Sequence, residues 1–504
     1  MEKKQSEFNK VFSAWDILVI AFGAMIGWGW VVSSGGWIQK GGVLGAALGF
    51  VVGGVMIFFV GLTYAELTAA MPQCGGEHVW SHRAMGPTGS FVCTWAIVLG
   101  YVGVACFEAC AFPTIISYLW PGFLKGYLYT VAGFDIYASW LIVAIIVAFG
   151  IMLINIVGAK TAAKLQTILT IIIGGAGILL IVASVINGTV DNLDGQMFAE
   201  VGGGDIVKSS VAVISPFYLI GFDVIPQAAE EINVPPKKIG GMLILSVVLA
   251  VLFYAFVIIA VGLVMNSGAI TASQAGTGLV TADAMALAFK TSVMAKVIIV
   301  GGMCGIITSW NSFMIGGSRA IYSMAESYMI PRVFAKLHPK HKTPINALIL
   351  IGILTMLAPF AGRVMMVWIC DAGNFGCCLA YCMVAISFLI LRKKQPDMPR
   401  PYKVPAGRLM GGVAVLMSGF MVVMYCIPGS GGTLILPEWG MVAAWSALGV
   451  VFFAICKSKY RESFGSMVQL ISDEDAATLL PEADERELDK VIDGAIDRVL
   501  ARLA

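Results

Sequence analysis

Two carboxylates stand in stretches that otherwise carry no charge: Glu108 in Val104-Ala105-Cys106-Phe107-Glu108-Ala109 and Asp223 in Ile220-Gly221-Phe222-Asp223-Val224. An acid inside an apolar run is expensive and marks a polar interior. Glu108 reads as a proton-titrating carboxylate, as a partner for a cationic substrate group, or as a protonated acid bonded to a neighbouring helix. A second kind of chemistry lies in Gly23-Ala24-Met25-Ile26-Gly27-Trp28-Gly29, in the middle of the first long apolar segment. Glycine costs about 1 kcal/mol in a helix interior, and non-helical backbone at membrane depth is tolerated only where it is buried or lines a cavity. A break here would present N–H groups and a positive dipole end to a carboxylate. Gly27 and Gly29 would let that ligand approach the backbone without a Cβ in the way. A second interruption, Ser215-Pro216-Phe217-Tyr218-Leu219-Ile220-Gly221-Phe222-Asp223-Val224-Ile225-Pro226, would expose carbonyls suited to an ammonium group. Together the two breaks describe a site for a zwitterion.

The elements that must hold these residues are membrane helices. The 504 residues are 59% hydrophobic and 12% charged, with a mean hydropathy of +0.88; soluble domains carry about 25% charged residues. Apolar runs of about 20 residues predict about twelve spans. They lie near 15–39, 43–70, 90–120, 138–157, 162–186, 207–229, 240–266, 293–325, 345–361, 364–391, 409–427 and 438–456. Interrupted helices five spans apart point to an inverted repeat with the substrate at the repeat interface. The predicted fold is therefore all-α and integral to the membrane. Residues 15–390 form a 5+5 core with broken helices 1 and 6, and 409–456 form two peripheral helices. Residues 1–14 and 391–408 are an N-terminal segment and a loop, and 457–504 are a tail whose apolar residues from Leu488 onward recur at helical spacing. The stretch 267–292 reads as an external loop with a short helix.

Basic residues orient the bundle. All except Lys40, Lys125, Lys208, Lys290, Lys296 and Arg363 fall on one face if both termini are cytoplasmic. The start, Met1-Glu2-Lys3-Lys4-Gln5, has no apolar signal-peptide region. A net charge of +2 implies no nucleic-acid partner. The 11 cysteines sit mostly inside apolar runs as small packing residues, and the four histidines (His78, His82, His338, His341) are placed in cytoplasmic loops. No intramembrane metal or haem centre is expected. Asp371, about twenty residues before Arg392, reads as a vestibule acid. Glu66, Glu77 and Arg319 at cytoplasmic helix ends read as gate ion pairs or plain interface charges.

Four regions together resemble the amino acid–polyamine–organocation superfamily of permeases, whose fold is the LeuT-type inverted repeat. They are the first-span glycine cluster; Tyr64-Ala65-Glu66-Leu67-Thr68-Ala69-Ala70-Met71-Pro72 followed by Gly75-Gly76-Glu77-His78-Val79-Trp80; Gly221-Phe222-Asp223 with Ala228-Ala229-Glu230-Glu231; and Gly316-Gly317-Ser318-Arg319 through Tyr322-Ser323-Met324-Ala325 to Pro331. The resemblance implies a substrate shell of Ala24, Met25, Ile26, Gly27, Trp28, Gly29, Glu108, Phe217, Ile220, Gly221, Phe222 and Asp223. It implies aromatic gates at Phe217, Phe222 and Phe313. A coupling sodium ion, if used, would sit among Gly23, Ile26, Thr308, Ser309 and Ser312. Proton-coupled members carry a lysine in span five in that ion's place; the register here puts Ile173 or Gly174 there instead. Trp28 departs from the small or hydroxylated residue expected between the glycines, and its indole either walls the cavity or packs away from it.

The expected function is a secondary transporter of amino acids in the cytoplasmic membrane, working by alternating access. Exchange or antiport ranks ahead of symport with Na+ or H+, and no cofactor is expected. A small or moderately sized apolar amino acid is preferred. The alternatives are an amine or polyamine permease, using Glu108 and Asp223 on ammonium groups, and a transporter-like membrane sensor. No nucleophile–base pair, phosphate loop or metal cluster suggests an enzyme.

Overall fold

The first span starts where the sequence supplies a cap. The Ser13 Oγ accepts the Asp16 N–H, and the Asp16 carboxylate takes the Ser13 N–H at 2.8 Å, so the entering turn has its donors satisfied. Helix runs over Ala14–Met25, stops at Ile26, and resumes over Gly29–Val32 and Ser34–Gly41. In this computed structural model, residues 3–4, 6–120, 122–199, 216–428, 432–467 and 469–470 are described. They belong to two units. Phe8–Gly465 is the larger, and Met1–Glu7 with Ser466–Ala504 is the smaller, in which Lys3–Lys4 pairs in parallel with Gln469–Leu470. The helix predicted from Leu488 lies outside the described residues.

Nine helical stretches among the described residues are long and apolar enough to cross a membrane. One of them, 345–394, turns at Ala358–Ala361 and is two spans, Ile345–Leu357 and Gly362–Lys394. With the two broken segments the count is twelve, as expected. The others are Val43–Ala70, Glu77–Leu119, Ala138–Val157, Ala159–Asn187, Pro236–Val264, Val293–Glu326, Gly407–Cys426 and Leu436–Tyr460. The apolar window of the third span is 89% buried, against 11% for the twelfth, which separates the core from the periphery. Outward residues such as Ile146, Ile171, Val185, Leu416 and Val450 are large, apolar and exposed. A surface of that kind is at home only in lipid.

Lipid offers no hydrophobic drive between helices, so close backbone approach must supply the contact. The third and tenth spans meet this way: a Cβ on Gly373 would lie 3.0 Å from the Gly100 Cα. The twelfth span is tied to the third by Trp95 and Trp445. Their rings stack at 4.5 Å, and each indole N–H donates to the other's carbonyl at 2.9 Å.

The sixth span is helical over Pro216–Leu219, turns at 220–223, and resumes over Val224–Gln227. Gly221 has φ +138°, a conformation open to glycine, and a Cβ there would fall 2.8 Å from the Ala24 Cβ and 3.0 Å from the Met25 nitrogen. The two predicted breaks therefore touch. The part of the predicted sixth span before residue 216 lies outside the described residues.

Several boundaries differ from expectation. Residues 267–292 are two helices, Ser267–Ala275 and Val280–Phe289. The second is mostly buried, with the Thr281 hydroxyl donating to the Trp30 carbonyl at 2.7 Å. Alanines there made it look like a polar loop, although they are small residues at a helix seam. His78 and His82 lie in the helix that begins at Glu77, which bends at Gly86 (φ +79°), and His78 is fully buried. Its ring nitrogens meet the hydroxyls of Thr94, Ser90 and Ser327, so it is a packing residue and not a loop residue. A hairpin, Tyr127–Val131 with Phe134–Tyr137, precedes the fourth span.

Candidate functional site

A cavity of about 90 Å³ lies between the two breaks. Ligand pockets usually run to about 300–1,000 Å³, so a small occupant is indicated. Of the predicted shell, Ala24, Met25, Gly27, Trp28, Gly29, Glu108 and Ile220 line it, joined by Phe313 and Ser309 from the eighth span. Ile26, Gly221, Phe222 and Asp223 are buried behind the lining. The side chain of Phe217 lies outside the described residues, so the structure does not speak to its gate role. Six lining residues were not anticipated: Val32, Ser33, Val104, Phe107, Tyr218 and Tyr254.

Glu108 is 4% exposed, and its Oε2 has no hydrogen-bond partner among the described residues. The Ser309 hydroxyl stands on the same side of the break, and both residues line the cavity. A Cβ added to Gly27 would stand 3.1 Å from Glu108 Oε1 and 3.8 Å from Ser309 Oγ. Glycine at 27 is thus what admits the carboxylate to the break. The N–H groups of Gly27 and Trp28, at the break, have no backbone acceptor among the described residues. Gly27, Trp28 and Glu108 all line this one small space, and a buried carboxylate oxygen without a partner is costly unless a ligand meets it.

Asp223 is fully buried, with both carboxylate oxygens bonded within the protein. Its Oδ2 accepts the Tyr101 hydroxyl at 2.6 Å, and its Oδ1 accepts the Tyr381 hydroxyl at 2.8 Å and the Gly221 N–H at 2.9 Å. With both oxygens engaged, it braces the sixth-span break. Phe222 packs on Tyr64 and Tyr381, away from the cavity, so it is not positioned as a gate. Phe313 does border the cavity and packs on Tyr101.

Trp28 borders the cavity, yet its six-membered ring edge occupies the notch at Gly302 on the eighth span, where a Cβ would overlap it. The indole packs away toward that helix. Tyr218 takes the covering position instead. A Cβ on Gly29 would meet its ring at 2.5 Å, its hydroxyl donates to Ser33 at 3.2 Å, and Trp37 stands edge-on at 4.7 Å. Tyr254 completes the wall, donating to the Met25 carbonyl at 2.9 Å.

The candidate cation residues divide. Ser309 faces the cavity. Thr308 bonds the Gly305 carbonyl at 2.9 Å, and Ser312 bonds the Ile20 carbonyl at 3.1 Å. Among them stands Gln166 of the fifth span, against Gly23. Its Nε2 donates to Ser312 at 3.0 Å and to the Val19 carbonyl at 3.4 Å, while its Oε1 accepts from Asn311 at 2.9 Å. Asn311 in turn accepts from Asn155 at 2.9 Å. The fifth-span residues against Gly23 are Gln166 and Thr170; of the two positions expected there, Ile173 is fully buried and Gly174 faces open space. A buried amide recurring on one helical face with Ala162 and Thr170 was the available signal.

The face rich in basic residues is closed. Arg319, 1% exposed, pairs with Glu231 through Nε–Oε1 at 2.7 Å and Nη2–Oε2 at 3.1 Å. The Glu231 carbonyl accepts the N–H groups of Val11 and Phe12 at 2.8 and 2.9 Å, and the Phe12 carbonyl accepts that of Asn233 at 2.8 Å. Gln227 bonds Glu77, and Glu66 pairs with Arg392. Arg319 and Glu66 are therefore members of buried ion pairs.

Compared with known proteins, residues 12–454 match a family model described as amino acid permease. A branched-chain amino acid permease of Bacillus subtilis is 25% identical over 83% of this chain and 89% of its own length. A methylthioribose transporter of the same organism is 24% identical over 91% and 96%. Its aspartate-proton symporter is 26% identical over 83% and 80%.

Proposed function

We propose that this chain, which belongs to the amino acid permease family, carries small or moderately sized apolar α-amino acids by alternating access, in exchange for one another. The observation that carries the reading is Glu108, whose Oε1 stands at the open backbone of Gly27 and whose Oε2 has no hydrogen-bond partner among the described residues, at a cavity of about 90 Å³. The substrate ammonium takes the Glu108 carboxylate and the Ser309 hydroxyl. The substrate carboxylate takes the N–H groups of Gly27 and Trp28, and aromatic walls take the side chain. Charge-assisted hydrogen bonds of this kind are about twice as strong as neutral ones. One relative carries a thioribose, so family membership alone does not assign a zwitterion; paired donors and acceptor argue for it. A polyamine reading needs a second free acid, and Asp223 is fully engaged.

Exchange is favoured over cation coupling by Gln166. Its neutral amide donates to the Val19 carbonyl and the Ser312 oxygen that a coupling ion would otherwise bind. Opening would alternate between the Arg319–Glu231 side and the Tyr218 side. The positive-inside pattern supports reading the Arg319 side as the cytoplasmic one.

The test is counterflow in proteoliposomes. Labelled amino acid uptake should require unlabelled amino acid inside, survive replacement of sodium by choline, and survive collapse of the pH gradient. The decarboxylated amine of a good substrate should not compete. Uptake that depends on sodium or a proton gradient defeats the exchange reading, and competition by the amine defeats the zwitterion reading.

A further inference from the structure

Away from the cavity, the third, tenth and twelfth spans enclose an apolar groove of about 330 Å³. Its lining comes from within residues 88–99 of the third span, 375–379 of the tenth and 442–453 of the twelfth. At 1.5 Å per helical residue, the third- and twelfth-span walls each run about 16 Å. That is the depth of one leaflet of a bilayer whose hydrocarbon core is about 30 Å thick. Apart from the hydroxyls of Thr88 and Ser446, the side chains lining it are apolar. The indole N–H groups of Trp95 and Trp445 are spent on each other's carbonyls, so their rings offer the groove only carbon. Val92 and Val450, also in the lining, are 44% and 67% exposed, a surface suited to hydrocarbon.

One end of the groove is charged. Phe453 and Phe91 meet there edge-on at 5.1 Å, and Lys457, one turn beyond Phe453, holds its Nζ 5.4 Å from the centre of the Phe453 ring. On the tenth span, Lys394 donates to the Ala84 carbonyl at 3.3 Å, four residues before Thr88. No acid pairs with either lysine among the described residues. This is the Arg319 side of the bundle: Gly465, just past the twelfth span, gives its N–H to the Ser327 carbonyl at 2.8 Å.

We propose that the groove holds an acyl chain of an anionic phospholipid, drawn from the leaflet on the Arg319 side, with its phosphate at Lys457. The apolar lining takes the chain, the length of the walls matches one leaflet, and the lysine supplies the opposite charge. Basic residues beside a cleft between membrane helices are a ready site for such head groups. A second copy of this chain fits less well. A helix with its side chains is about 10–12 Å across and would have to be met over the whole membrane depth. A two-fold axis at the groove would also set Lys457 near its own counterpart. The proposal does not depend on what the central cavity carries.

Native mass spectrometry of the purified, delipidated full-length protein tests it, with dioleoylphosphatidylglycerol as the probe and dioleoylphosphatidylcholine beside it. The anionic lipid should bind at one site more tightly than the neutral one. Glycerol phosphate, which has the charge without the chains, should not compete. A lysine at an anionic lipid surface is worth about fivefold in binding. Lys457→Gln should therefore weaken the anionic lipid by about that factor and leave the neutral one unchanged. Lys459→Gln, at a lysine that lies over Tyr460 instead, should have the smaller effect. Ser446→Trp, which fills the groove, should weaken both lipids. Equal binding of the two lipids, competition by glycerol phosphate, or equal effects of Lys457→Gln and Lys459→Gln would each overturn the proposal. So would a delipidated protein that dimerises and, in Ser446→Trp, loses the dimer but no lipid; the groove would then belong to a second copy.

Discussion

The indole of Trp28 fills the notch that Gly302 leaves by having no side chain. A first-span residue chosen for bulk is thus matched to an eighth-span residue chosen for its absence. Gly302→Ala should push the ring toward the cavity, at about 1–3 kcal/mol of overpacking. The expected result is a lower melting temperature together with an accepted substrate series that ends at a smaller side chain. Competition by glycine, alanine, valine and leucine reads the series; an unchanged ranking would show that the ring yields elsewhere.

Glu108→Gln keeps the size of the side chain and removes its charge. Loss of a charged hydrogen bond is worth about 1.5–3 kcal/mol, which is about tenfold to a hundredfold in affinity. Glu108→Asp, with the charge on a shorter arm, should retain part of it. Ser309→Ala should cost less than either, since a neutral bond is worth about 0.5–1.5 kcal/mol. Binding measured by thermal shift or calorimetry decides, and a full-affinity Gln variant would assign Glu108 to structure.

Gln166→Ala takes away the acceptor of the Asn311 amide N–H and the donor to the Val19 carbonyl, while the Ser312 hydroxyl keeps its bond to the Ile20 carbonyl. Each unsatisfied group costs about 1–3 kcal/mol, so the melting temperature should fall. If Gln166 stands in for an ion, the vacated donors should also make the variant respond to sodium where the wild type does not. A variant with wild-type stability would mean that water replaces the amide without penalty.

Arg319→Gln removes one partner of a buried pair and leaves Glu231 unpaired, which costs about 3–5 kcal/mol. Because the pair closes one face, the cost falls on that closed state. Cysteines placed along the inner lining should become more reactive to thiol reagents from the Arg319 side. The double variant Arg319→Gln/Glu231→Gln should be milder than either single change. Equal effects in all three would detach the pair from gating.

Much of this was legible in the chain because glycine and proline have few reasons to cluster at membrane depth. Gly23–Gly29 and Pro216–Pro226 marked both breaks, and burial of Glu108 followed from its apolar neighbours. Asp223 and Glu108 share the same kind of sequence context. What separates them is the hydroxyls of Tyr101 and Tyr381, which arrive from other spans. Tyr218 was passed over for its neighbour Phe217, since a one-residue rotation cannot be read through a helix break. Gln166 carries no charge to mark it in an apolar run, yet its amide donates to the same oxygens a cation would use. The alanine-rich 267–292 stretch looked polar by average but packs by shape.

The amino-terminal segment is tied to the Arg319–Glu231 pair. Val11 and Phe12 give their amide protons to the one carbonyl, that of Glu231, whose side chain is held by Arg319. Those two protons are sheltered only while that face is shut. Each transport cycle that opens it must bare them to water, so their deuterium uptake is a turnover counter written into the backbone. Saturating substrate on both sides should make that counter run faster, at a rate set by exchange itself, with no label on the cargo.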